Sequence, residues 1–241
     1  MRRWLTVLSA IALTASPAAA ADPDLTVTIY SEALDEARLV DFHLPQNGGD
    51  TPMSVLVVTD GEDFGELAAS YVDHFAHMAG TKPTLVIAIH NTDRNRDLLS
   101  NPGPFASFIA DELLPRARKD MNLDGTELLF TFSSGTGLAE YFLEGPADTF
   151  DGYIVSGAGL GPQGRLQWRD IAAGDHPPLY FSAEGDPSPR AAPVREILAL
   201  AERKPHFMGR VLDGQTHDTA GALGLFEGLV ALLPRLPAKS E

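Results

Sequence analysis

Two unbroken apolar runs, Val55-Leu56-Val57-Val58 and Leu85-Val86-Ile87-Ala88-Ile89, constrain this chain more than any other feature. A strand with one wet face alternates apolar and polar residues. A run without alternation is buried on both faces, as happens in the middle of a parallel sheet covered by helices. Between such runs lie longer amphipathic stretches. The pattern predicts strands at 25–30, 38–43, 53–59, 84–90, 128–132, 152–156, 178–183 and 206–212. It predicts helices at 64–79, 104–121, 135–143, 193–203 and 220–233. Residues 157–177 are rich in glycine and read as a loop with a short helix. An amino-terminal antiparallel pair followed by strand–helix alternation gives a mostly parallel, doubly wound α/β sheet with helices on both faces. No repeat, low-complexity tract or linker divides residues 21–241, so the expectation is one domain with its ligand site at the carboxyl ends of the strands. Asp60, His90 and Ser133-Ser134 all fall at that edge.

The chain opens with Met1-Arg2-Arg3, an apolar run from Trp4 to Ala15, and the small residues Ala18-Ala19-Ala20. That is the pattern of a secretory signal peptide over residues 1–20. No later run approaches the ~20 consecutive apolar residues that a spanning helix needs, so no membrane anchoring is expected. There is no cysteine, which excludes disulfides, thiolate metal sites and a lipid-modified amino-terminal cysteine. The expected location is periplasmic or secreted. Basic residues number 18 against 33 acidic ones, a net charge of −15, and removal of Arg2 and Arg3 takes it to −17. Such a surface repels phosphate backbones and anionic lipid, so no nucleic-acid partner is expected.

At the end of the predicted strand 128–132 stands Phe132-Ser133-Ser134-Gly135-Thr136-Gly137, just before a predicted helix. A serine at a strand-to-helix corner projects its hydroxyl from a sharp turn and faces helix N–H groups. The G-x-S-x-G frame reads T-F-S-S-G around Ser133 and F-S-S-G-T around Ser134. A serine nucleophile needs a base, and the base needs an orienting acid. His217, in Leu212-Asp213-Gly214-Gln215-Thr216-His217-Asp218, lies just past the last strand and is the candidate base; His206 and His176 sit at the wrong edge. The acid belongs after the penultimate strand, where Glu184-Gly185-Asp186 offers two carboxylates, Asp186 first and Glu184 as the alternative. For Ser134 as nucleophile, the oxyanion donors would be the N–H of Gly135 and that of Glu62, in the loop Asp60-Gly61-Glu62. Arg94 and Arg96, in Arg94-Asn95-Arg96-Asp97, are candidate holders of an anionic substrate group. Asp73, His74 and His77 share a helix, but with no third partner for a metal they read as an ordinary helix face. No cofactor is implied.

In order and spacing, several segments resemble the esterase D-like family of α/β-hydrolases, and within it the siderophore esterases that cleave enterobactin-type trilactones. Arg38-Leu39-Val40-Asp41-Phe42-His43-Leu44-Pro45 is similar to the family's opening strand, and Val57-Val58-Thr59-Asp60-Gly61-Glu62 to its oxyanion loop. Arg94-Asn95-Arg96-Asp97-Leu98 is similar to R-x-R-D-L, and Phe105 through Glu112-Leu113-Leu114-Pro115 to a helix ending E-L-I-P. Ser134-Gly135-Thr136-Gly137-Leu138 resembles the second half of G-x-S-x-G-G-L. The resemblance implies an α/β-hydrolase fold and puts Ser134 in the nucleophile's place, with Phe132 and Thr136 where the family has glycines. It implies a serine ester hydrolase acting on a small ester or lactone, a siderophore trilactone among them. The alternative is a catalytically degenerate member that binds a ligand or partner without hydrolysis.

Overall fold

A computed structural model describes residues 23–46, 50–145, 147–202 and 204–233; the expected signal peptide lies outside them. Eight strands form one sheet: β1 (Leu25–Ser31), β2 (Glu36–His43), β3 (Met53–Val58), β4 (Thr84–Ile89), β5 (Leu123–Phe132), β6 (Gly152–Ser156), β7 (Leu179–Glu184) and β8 (Phe207–Leu212). Their order across the sheet is β1-β2-β4-β3-β5-β6-β7-β8. The β1–β2 and β2–β4 pairs are antiparallel and the rest are parallel. The sheet is therefore mostly parallel, as its apolar runs predict.

Those runs send alternate residues to opposite faces. Val55, Val57, Leu85 and Ile87 join a core with Phe105, Phe108, Leu138, Phe142, Trp168 and Ile197. Leu56, Val58, Val86 and Ala88 join a second core with Phe64, Val72, Leu225 and Leu229. The first face is covered by α2 (Gly103–Ser107), α3 (Leu114–Asp120), α4 (Thr136–Glu144), α5 (Pro162–Ala173) and α6 (Ala191–Ala201), the second by α1 (Gly61–Ala79) and α7 (His217–Leu232). Each fully buried Val, Leu or Ile contributes ~1.5–3 kcal/mol, so the central strands hold both helical layers in place. Among the described residues, no helix is long and apolar enough to cross a membrane.

Three boundaries differ from the sequence pattern in ways that matter. The predicted helix 104–121 is three pieces, with π-helical turns at Phe108–Leu113 between α2 and α3. Pro115 has no N–H to return to residue 111, and the backbone widens ahead of it. A further π-helical turn, Arg96–Ser100, follows β4 in a stretch where the sequence pattern predicts neither strand nor helix. Helix α7 begins at His217 rather than at residue 220. Thr216 caps it, its Oγ1 accepting from Thr219 N–H at 3.3 Å while Thr219 Oγ1 accepts from Thr216 N–H at 2.9 Å. This reciprocal cap fixes where the histidine sits.

Candidate active site

The carboxyl ends of β3, β4, β5, β7 and β8 meet at one edge, and the site is built from the five loops that leave them. The corner after β5 turns at Ser133, whose φ is +55°. A non-glycine residue in the left-handed region costs ~1–2 kcal/mol, and a serine held there by a strand on one side and a helix on the other is the geometry of a nucleophile elbow. A short 3₁₀ turn, Ser133–Gly135, leads into α4. Thr136 Oγ1 donates to the Ser133 carbonyl at 2.7 Å and seats the turn on the helix.

Ser133, not Ser134, faces the histidine. Ser133 Oγ lies 2.8 Å from His217 Nε2, and His217 Nδ1 lies 3.1 Å from Glu184 Oε2. The carboxylate keeps the imidazole proton on Nδ1 and leaves Nε2 to accept from the serine. Ser134, the expected nucleophile, instead has its Oγ accepting from Arg94 Nη1 at 3.0 Å. With the frame centred on Ser133, Thr131 takes the first glycine's place and Gly135 keeps the second. A Cβ on Gly135 would sit 2.7 Å from Thr131 Cβ, closer than packed carbons approach. One glycine suffices because only one of the two facing positions carries a side chain.

The carboxylate facing the histidine is Glu184, not Asp186. Glu184 ends β7 and is buried, whereas the Asp186 side chain is 71% exposed and pairs with Arg195 at 2.9 Å. Glu184 Oε1 accepts from Ser188 Oγ at 2.8 Å and Arg190 Nη1 at 3.0 Å, which turns Oε2 toward His217. Burial pushes the Glu184 carboxyl up, but its own backbone N–H, His217 and Ser188 together outweigh burial and hold it below the usual carboxylate range.

Arg94 occupies the opposite wall. Its Nε and Nη2 bind the two carboxylate oxygens of buried Asp60 at 2.5 and 2.9 Å. Nη2 also donates to the Phe132 carbonyl at 3.1 Å, so Arg94 bonds the residues on either side of Ser133. One guanidinium joins the loop after β3 to the serine corner, and the Asp60 hydrogen bonds hold Arg94 even more firmly protonated. These bonds tie the guanidinium of Arg94, also expected to hold a substrate anion, to the protein's own groups. Arg96 bonds Glu36 at 2.7 and 3.1 Å and Asp97 at 2.7 Å. Asp97 in turn pairs with buried Arg38 at 2.5 Å. This network engages all three guanidinium nitrogens of Arg96, the residue expected to hold substrate, with the protein's own carboxylates.

The N–H that follows Ser133 is that of Ser134, one residue ahead of the Gly135 N–H expected as an oxyanion donor. The second donor expected, the N–H of Glu62, lies in the first turn of α1, where backbone N–H groups have no intrahelical carbonyl. The carbonyl of Asp60 receives Asp63 and Phe64, the next two N–H groups along. The Glu62 side chain accepts from Asn91 Nδ2 at 2.8 Å, and Asn91 also bonds Asp60 at 2.7 Å. Beside the corner, Leu99, Pro102, Thr136, Gly137, Glu140 and Gly159 line part of a cavity of about 450 Å³.

No protein-family model matches this chain, and no curated protein matches its sequence. Solved structures do match. An IroE-like serine hydrolase from Shewanella oneidensis superposes with a TM-score of 0.76 at 23% identity, over 87% of this chain and 80% of that one. Siderophore hydrolase EstB from Aspergillus nidulans gives 0.71 at 16% identity, over 93% and 100% of the two chains. The enterobactin esterase FES from Shigella flexneri gives 0.68 at 18% identity, over 87% of this chain and 60% of that one. The sheet order, the serine corner and these superpositions agree that the chain has the α/β-hydrolase fold.

Proposed function

We propose that the chain is a serine ester hydrolase with Ser133 as nucleophile, His217 as general base and Glu184 as the acid that orients it. The observation that carries this reading is the 2.8 Å contact between Ser133 Oγ and His217 Nε2 at a serine with φ +55°. Ser133 gives its proton to His217 as Oγ attacks the ester carbonyl. The N–H groups of Ser134 and Glu62 receive the oxyanion, each such donor being worth ~3 kcal/mol in related hydrolases. His217 then returns the proton to the leaving alcohol, and water repeats the cycle on the acyl-enzyme.

The cavity beside the corner has room for one arm of a small ester or lactone. A siderophore ester is the favoured substrate class, supported by the structural neighbours that are siderophore hydrolases. The signal-like amino terminus supports action outside the cytoplasm. The rival reading, a binding protein without catalysis, drew on two missing elbow glycines; about Ser133 the second is present as Gly135, which removes much of its ground.

A fluorophosphonate probe tests the assignment. Wild type and Ser134→Ala should both label, and Ser133→Ala should not. An unlabelled wild type would overturn the reading, as would full labelling of Ser133→Ala. Release of linear products from a trilactone, compared with a simple p-nitrophenyl ester, tests the substrate class.

A further inference from the structure

Phe132 stands immediately before the proposed nucleophile, at the end of β5. Its ring lies against the face of His217, centroids 4.7 Å apart and planes 29° from parallel. Behind it stands Phe64, 5.1 Å away, which is itself 5.1 Å from Phe130. Two glycines from separate elements hollow out the slot. A Cβ on Gly157, after β6, would lie 2.5 Å from Phe132 Cε2 and 3.0 Å from His217 Cε1. A Cβ on Gly221, in α7, would lie 3.0 Å from the same Phe132 carbon and 2.7 Å from Phe64 Cζ. The fold thus leaves room for an aromatic ring flat against the imidazole.

Resting on the reading of Ser133, His217 and Glu184 as a relay, we propose that Phe132 is a positioning residue that acts through His217. Its ring face keeps the imidazole in line between serine and carboxylate and favours the imidazolium formed when Ser133 gives up its proton. Any apolar side chain would fill the slot. Only a π face adds attraction for the charged ring, and the centroid separation is inside the ~6 Å over which that attraction operates. Among the described residues, the charged groups on the elements around His217 include Glu184 with Arg190 bonded to it, Arg94 and Asp60 at the serine corner, Asp213 with Arg195 in the preceding loop, and Asp218 next in sequence. None of these changes when Phe132 alone is altered.

Progressive fluorination of the ring removes the quadrupole while keeping its shape. Phenylalanine, 4-fluoro-, 3,5-difluoro- and 3,4,5-trifluorophenylalanine are placed at position 132. In a Ser133→Ala background, the His217 ring protons are titrated by NMR. The midpoint should fall stepwise, by about half a pH unit or more at the trifluoro ring. In the chain with Ser133, the acid limb of kcat/KM for a p-nitrophenyl ester should move with it. Phe132→Tyr should stay within about threefold of wild type and Phe132→Leu should lose about tenfold in kcat. A midpoint that holds constant across folded members of the series would overturn the inference, whether or not the chain hydrolyses esters. A protein that hydrolyses nothing but shows the stepwise fall would retain it and lose only the proposed reaction.

Discussion

The serine corner and the histidine–carboxylate side of the cleft are held by different physics. At the corner, backbone sterics decide: a left-handed serine, a glycine whose missing Cβ clears Thr131, and a guanidinium bonded to the residues before and after the turn. On the opposite side, hydrogen bonds between side chains decide. Ser188 and Arg190 hold one oxygen of Glu184, and a threonine cap fixes the start of the helix that carries His217. Sterics at a turn are unforgiving by a single residue, which is why two adjacent serines have unrelated surroundings. A hydrogen-bonded carboxylate is less restricted, and the strand end itself can supply it.

The largest effect that follows from this contrast is at the corner. Ser133→Ala should lower kcat by up to ~10⁶, the scale seen when a triad serine is removed, while Ser134→Ala should stay within about tenfold. Equal losses in steady-state kinetics would break the one-residue distinction. On the other side, Glu184→Gln should lower kcat by ~10³–10⁴, because an amide no longer holds the Nδ1 tautomer, and Asp186→Asn should leave it unchanged. A reversal of that pair would return the acid to the exposed loop. Next comes the steric element. Gly135→Ala should lower activity by ~10², the scale of a 1 Å misplacement, and the double variant Thr131→Gly/Gly135→Ala should recover most of it. Failure of the second change to rescue the first would show that the two positions do not face each other in the folded chain.

The same contrast explains what could be read from the residues alone. The central strands were legible because burial on both faces leaves no alternation, and Val55–Val58 can scarcely belong elsewhere. His217 was legible from its place after the last strand. Which serine faces His217 was not, because Ser134-Gly135-Thr136-Gly137-Leu138 aligns by letters with a family motif, whereas the backbone reads which glycine faces which residue. The signal that would have found it is Gly135, two residues after Ser133, in the one frame that keeps a glycine there. Sequence does not separate Glu184 from Asp186, because strand ends and turns look alike in composition; burial does. The ion pairs of Arg96 were not legible because one partner, Glu36, stands 60 residues away.

The smallest effect is in stability, and it has opposite signs on the two sides of the cleft. Glu140 lies on α4 just beyond the corner, where burial first and the neighbouring Glu144 second push its carboxyl up to about 7 from 4.5. Between those values the folded chain binds a proton that the unfolded chain has released, so this group's stabilisation is present below pH ~4.5 and is lost as pH rises toward 7. Glu184 is held low, so its contribution is present above its unfolded value and is lost as pH falls. Glu140→Gln should therefore raise Tm relative to wild type at pH 8 by ~3 °C, with little change at pH 4. Glu184→Gln should lower Tm at pH 8 and converge on wild type in acid. Thermal scans across that range separate the two, since parallel curves for both variants would mean that neither carboxylate is set by the side of the cleft it occupies.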